Sequence, residues 1–126
     1  MNGDCMIFIC YRKCSTCQKA KKHLLEMNVD FEERPIEMGV TQEELRKWIP
    51  LSQKEIHQFF NTSGKIYKSE NYKEKLKLMT EDEKIKALSE NGMLVKRPLL
   101  VGDDFVLVGY KKEQYDEIGE KYGKKQ

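Results

Sequence analysis

Cys14-Ser15-Thr16-Cys17 holds the residues whose spacing best suits chemistry in this sequence. Two cysteines separated by two residues bring their sulfurs together across one helical turn. A thiolate at the first position can attack a substrate, and the second thiol can then attack the resulting mixed disulfide. Free N–H groups at a helix start stabilise a thiolate, and Arg12 and Lys13 add positive charge just before it. Cys14, at the exposed start, is the expected nucleophile, with a pKa below the ~8.5 of a free thiol. Cys17, one turn inside, is the expected resolving cysteine. Arg12, Lys13, Ser15 and Thr16 are the expected substrate-facing residues around the pair.

A metal site is the competing use of such a pair. Its other half is missing, because no Cys follows Cys17 and His23 and His57 are not spaced as a ligand pair. Cys5 and Cys10 flank a predicted strand that would hold them about 16 Å apart, beyond the reach of one ion. The spacing of Cys10, Cys14 and Cys17 does not match the plant-type iron–sulfur pattern either. No metal and no tightly held cofactor is expected, and Cys5 and Cys10 are read as strand residues without chemistry. His23 and His57 are read as helix-surface or partly packed residues.

Arg97-Pro98 is the second signal. A proline opening a strand is ordinary by itself. In a thioredoxin-like arrangement it takes the position of the cis-proline that faces the redox helix. Arg97 would there aim its guanidinium at Cys14, favouring the thiolate and holding an anionic substrate or leaving group. Pro98 would shape the substrate groove.

The elements that must position these groups follow from periodicity. Met6 to Cys10 is short, apolar and partly β-branched, the pattern of a strand buried on both faces. Cys17, Ala20, Leu24 and Leu25 recur at helical spacing, and Asn28 is expected to stop that helix in the left-handed region. Val29 to Ile36, with Pro35 near its end, reads as an edge strand. Thr41 and Glu44 form a predicted capping box for a helix carrying Leu45, Trp48 and Ile49, which Pro50 is expected to end. Lys54 to Phe60 offers another short helical stretch, and Asn61 to Gly64 a turn. Leu76 and Met79 read as one short helix. Thr80 caps a second, carrying Ile85 and Leu88 and stopping at Asn91-Gly92. Leu99 to Val101, the turn Gly102-Asp103-Asp104 and Phe105 to Val108 form a hairpin, and Lys111 to Tyr122 a closing helix. Trp48, Phe59 and Phe60 are expected to be core, and Lys111-Lys112 a solvated helix start.

The order β-α-β, then helices, then β-β-α predicts an α/β thioredoxin-like fold with a mixed sheet. It forms a single domain over residues 1–126, with a helical insert at about 40–92. The chain of 126 residues, 39% of them hydrophobic, suffices for one core. Its 23 basic and 21 acidic side chains leave only +2, which argues against direct nucleic-acid binding. Only Arg12, Arg34, Arg46 and Arg97 are arginines, so planar recognition of an oxyanion must draw on those four. The run from Cys5 to Cys10 is far short of the ~18 apolar residues of a membrane span, and Asp4 replaces the basic flank of a secretory signal. A cytoplasmic monomer is expected, and in that reducing compartment four cysteines point to catalysis or sensing rather than to a structural framework.

Cys14-Ser15-Thr16-Cys17-Gln18-Lys19-Ala20, the insert, and Leu94-Val95-Lys96-Arg97-Pro98-Leu99 together resemble the arsenate reductase/Spx family. Phe59 to Lys65 and Asn91 to Leu94 are most similar to its arsenate-reductase-related bacterial subgroup. The resemblance implies a nucleophilic cysteine at Cys14 and a small-molecule or protein substrate bearing a thiol, disulfide or thiol-reactive group. It also implies glutathione, glutaredoxin or thioredoxin as reductant. The glutathione-dependent reductases of the family use three arginines and one loop cysteine. Here Arg97 alone matches, with His57 and Lys111 near the other arginine positions, and the loop carries two cysteines. Spx-type regulators share the cysteine pair and the Arg-Pro, and that branch implies RNA polymerase as a partner. Its polymerase-binding glycine has no counterpart between Pro50 and Phe60. The enzyme and the redox-sensing regulator are the two functions compatible with these motifs.

Overall fold

The computed structural model describes residues 6–123. Cys5, Lys124 and Lys125 lie outside the described residues. The chain forms two compact units, one holding the chain up to Pro35 and from Arg97 onward, the other Ile36–Lys96.

The first unit is a mixed four-stranded sheet in the order β2-β1-β3-β4, the thioredoxin-like arrangement. Strand β1 (Met6–Cys10) pairs in parallel with β2 (Phe31–Pro35) and antiparallel with β3 (Leu99–Val101), which pairs antiparallel with β4 (Val106–Val108). Helix α1 (Ser15–Glu26) is the crossover that a parallel β1–β2 pair requires. Asn28, at φ 57°, ends that segment in the left-handed region. Alternation along β1 sends Met6, Phe8 and Cys10 to one face, where they pack with Cys17, Ala20 and Leu24 of α1. Tyr115 and Ile118 of the last helix, α6 (Lys112–Tyr122), complete this core. Burying a side chain such as Phe8 or Leu24 contributes about 1.5–3 kcal/mol each, so α1 is clamped to the sheet along its inner stripe. β2 is an edge strand, as its proline requires.

The second unit is helical. Thr41 and Thr80 both close full capping boxes with Glu44 and Glu83, starting α2 (Gln42–Ser52) and α5 (Glu81–Glu90). Trp48, Phe59 and Phe60 are buried in this unit. Pro50 does not end α2, contrary to the sequence expectation. It falls in the last turn, and the helix continues to Ser52 because Trp48 and Ser52 bury a common face. The Ser52 hydroxyl donates to the Ile49 carbonyl at 2.6 Å, and Gln53 then turns out at φ 58°. Leu76 and Met79, read as one short helix, instead fall in the turn that follows α4 (Tyr72–Lys75), and the sequence pattern predicts neither α4 nor α3 (Lys65–Ser69), which are joined through Asn71 at φ 57°. Neither carries a fully buried residue, so neither shows an apolar stripe to read. They are held by stacking of Tyr67 on Tyr72 and by Phe60 against both. Gly92 is required where it is, since a Cβ there would lie 2.1 Å from the Ile36 carbonyl oxygen.

Candidate active site

Strand β1 delivers the chain to Tyr11, and the turn that follows sets Cys14 as the N-cap of α1. Tyr11 organises the turn with three groups at once. Its carbonyl accepts from the Cys14 N–H at 3.0 Å, its N–H donates to the Cys17 sulfur at 3.3 Å, and its ring carries the Arg97 guanidinium 4.8 Å from the centroid. Arg97 arrives from the other end of the unit, before β3, through a cis peptide bond to Pro98. Gly109 fixes that loop: at φ 79° it donates its N–H to the Pro98 carbonyl at 2.9 Å. Cys14, Cys17, Tyr11, Arg97 and Pro98 are thus brought to one end of the two central strands, β1 and β3.

The two thiols occupy different environments. Cys14 is partly exposed and Cys17 fully buried, and both are free. Partial burial works against the Cys14 thiolate. The N–H and thiol of Cys17, the N–H of Thr16 and the charge of Arg97 together outweigh it, and the Cys14 pKa lies below the ordinary thiol value. The Cys14 sulfur closes no short capping bond, so the N–H groups act on it as helix-start dipoles at longer range. Burial pushes Cys17 the other way, to about 12, and the neighbouring Cys14 adds to the rise against the opposing Tyr11 N–H. One thiol is prepared to be a thiolate and the other to keep its proton.

Arg12 and Lys13 are exposed on the turn, as are Ser15 and Thr16 on the first turn of α1. The Gln18 side chain donates to the Arg12 carbonyl at 2.9 Å, which braces the turn. The charge acting on Cys14 is that of Arg97, while the charge of Arg12 acts on Glu33. His23 is held between the Tyr110 hydroxyl and Asp116, each at 2.8 Å, and so ties α1 to α6. His57 is exposed in the second unit, paired with Glu55 at 3.2 Å. Lys111 is the exposed N-cap of α6. Among the described residues no group of three or more His, Cys, Asp or Glu is arranged to hold a metal ion, and no helix is long and apolar enough to cross a membrane.

Sequence reasoning missed Tyr11 and Glu33. The Glu33 carboxylate accepts from the Cys10 thiol at 3.4 Å and pairs with Lys21 at 2.9 Å. An aromatic residue just before the basic turn was the available signal for Tyr11. Nothing local marks Glu33, whose place beside Cys10 depends on the β1–β2 register.

Known proteins share this fold. A putative ArsC family related protein from Bacteroides fragilis superposes with a TM-score of 0.89 at 49% identity, over 93% of this chain and 99% of its own. A possible arsenate reductase from Streptococcus mutans gives 0.81 at 36% identity, covering 91% and 99%. The uncharacterized protein YusI of Bacillus subtilis is 43% identical over 89% of this chain and 96% of its own. The regulatory protein MgsR of the same bacterium is more distant, 27% identical over 92% and 91%. The sequence pattern of the ArsC family matches residues 10–118, a span that starts at the end of β1 and reaches into α6, and the chain belongs to that family.

Proposed function

We infer that this protein is a thiol–disulfide oxidoreductase in which Cys14 attacks and Cys17 resolves. The observation that carries the reading is the opposed environment of the two thiols, one partly exposed and biased toward the thiolate, the other buried and protonated. The Cys14 thiolate attacks one sulfur of a substrate disulfide, forming a mixed disulfide and releasing the other half as a thiolate. The Cys17 sulfur then attacks Cys14, the substrate sulfur leaves with the electron pair, and the Cys14–Cys17 disulfide remains. The substrate is reduced by two electrons and the pair is oxidised by two. A cytoplasmic thiol donor, glutathione, glutaredoxin or thioredoxin, returns the pair to the dithiol. Arg97 beside Cys14 suits a substrate carrying an anionic group, including an oxyanion such as arsenate, which the name of the Streptococcus mutans relative brings into range.

Trapping tests the reading. Cys17→Ser incubated with cell extract is expected to accumulate covalent adducts on Cys14 that a reductant releases, and Cys14→Ser none. Adducts that persist in Cys14→Ser, or their absence from Cys17→Ser, contradict it. A second reading, a redox-responsive regulator contacting RNA polymerase, is favoured by the relation to MgsR. Polymerase captured from lysate in one redox state only, with no turnover of small disulfides, supports that alternative.

A further inference from the structure

The register of β1 with β3 sets Ile7 opposite Val101 and Ile9 opposite Leu99. Carried two residues past Ile9, the same register brings Tyr11 opposite Arg97, where the two strands end. Cross-strand neighbours meet through their side chains, and the Arg97 guanidinium carbon lies 4.8 Å from the centre of the Tyr11 ring. This contact falls at the mouth of the cysteine turn. The Tyr11 carbonyl accepts from the Cys14 N–H at 3.0 Å, and the Tyr11 N–H donates to the Cys17 sulfur at 3.3 Å.

The kind of contact matters as much as its place. The Gly109 N–H fixes the backbone beside Arg97 by donating to the Pro98 carbonyl at 2.9 Å. An arginine side chain keeps several rotatable bonds beyond its backbone, so its head is placed by what it touches. A carboxylate would hold a guanidinium through the N–H fork and cancel its charge. An aromatic ring attracts it along the flat face, through the ring quadrupole, and cancels no charge. The fork keeps the planar geometry that matches a carboxylate. A ring under Arg97 is therefore the partner that suits an arginine meant to receive an anion.

We propose that Tyr11 is a positioning residue that favours disulfide substrates bearing a carboxylate, by holding Arg97 on its ring face at the mouth of the cysteine turn. This rests on the oxidoreductase reading above. In the first step the Cys14 sulfur bonds to one substrate sulfur and the substrate S–S bond breaks. The other half leaves as a thiolate with the electron pair. The substrate carboxylate accepts from the Arg97 fork, and Tyr11 acts through Arg97. An uncharged disulfide uses the same thiolate but not the fork, so loss of the ring affects the two kinds of substrate unequally.

Two reagents separate substrate charge from thiol reactivity in the full chain. Reduced protein is mixed at low salt with a bis(carboxyaryl) disulfide or with uncharged dipyridyl disulfide, and the rate of the first coloured thiol released is measured. The ratio of the carboxylated to the uncharged rate cancels any change in the Cys14 thiolate itself. Tyr11→Leu is expected to lower that ratio by about two- to fivefold, the equivalent of an exposed cation–π contact. Tyr11→Phe keeps the ring and keeps the ratio. Arg97→Gln lowers it at least as far as Tyr11→Leu, and adding Tyr11→Leu to Arg97→Gln lowers it no further. Arg12 and Lys13, exposed on the same turn, are unaltered throughout, so their attraction for the carboxylated reagent is common to every variant. A Cys17 that stays unreactive to iodoacetamide reports an intact core, and where Leu exposes it Tyr11→Met takes its place. An unchanged ratio in the ringless variant, a fall in Tyr11→Phe as large as in Tyr11→Leu, or a further fall on the Arg97→Gln background overturns the proposal. Failure of the oxidoreductase reading shows differently, as a release that survives Cys14→Ser with both reagents.

Discussion

Arg97 and Cys14 are separated by most of the sequence, yet the guanidinium acts on that thiol and sits over the Tyr11 ring. Its share is small beside those of the backbone N–H groups. Arg97→Gln should therefore slow alkylation of Cys14 at neutral pH by only about two- to fivefold, the scale of a partly exposed ion pair. The pH dependence has a definite sign. Because the Cys14 pKa is depressed, the thiolate persists below the range of a free cysteine, and alkylation falls only as pH drops through that lowered value. Tyr115 offers a test of a different kind. Among the described residues its buried hydroxyl has no hydrogen-bond partner, a condition that costs about 1–3 kcal/mol. Tyr115→Phe keeps the ring stacked near His23 and is expected to raise the urea midpoint by the equivalent of about 1 kcal/mol. A lower midpoint would show that the hydroxyl is satisfied in solution.

Short elements divide by whether their signals are local. The two capping boxes were legible because Thr41 with Glu44 and Thr80 with Glu83 need only their own backbone. Thr80→Ala should destabilise by about 1 kcal/mol, seen as faster amide exchange across Glu81–Glu90; unchanged exchange would contradict the cap. Asn28 was legible for the same reason, as a residue that tolerates positive φ. Pro50 misled because proline is a helix stop only when packing does not oppose it, and burial of Trp48 and Ser52 does. α3 and α4 were missed because aromatic stacking among Phe60, Tyr67 and Tyr72 substitutes for a buried stripe. The cysteine pair was legible from spacing, whereas Tyr11 and Glu33 take their roles from the turn and the strand register that only folding sets.

At the scale of the molecule, one unit carries every group of the candidate chemistry, and its sheet explains why. The β1–α1 junction supplies the cysteines, the loop before β3 supplies Arg97 and Pro98, and the order β2-β1-β3-β4 places β1 beside both β2 and β3. The same order places Glu33 on β2 next to Cys10 on β1. All of this chemistry depends on a difference between two sulfurs three positions apart. Brief treatment of the reduced protein with iodoacetamide at neutral pH, followed by peptide mapping, measures that difference most directly. Cys14 is expected to be modified rapidly and almost alone, with Cys17 reacting only after unfolding. Equal and slow modification of both would contradict the account.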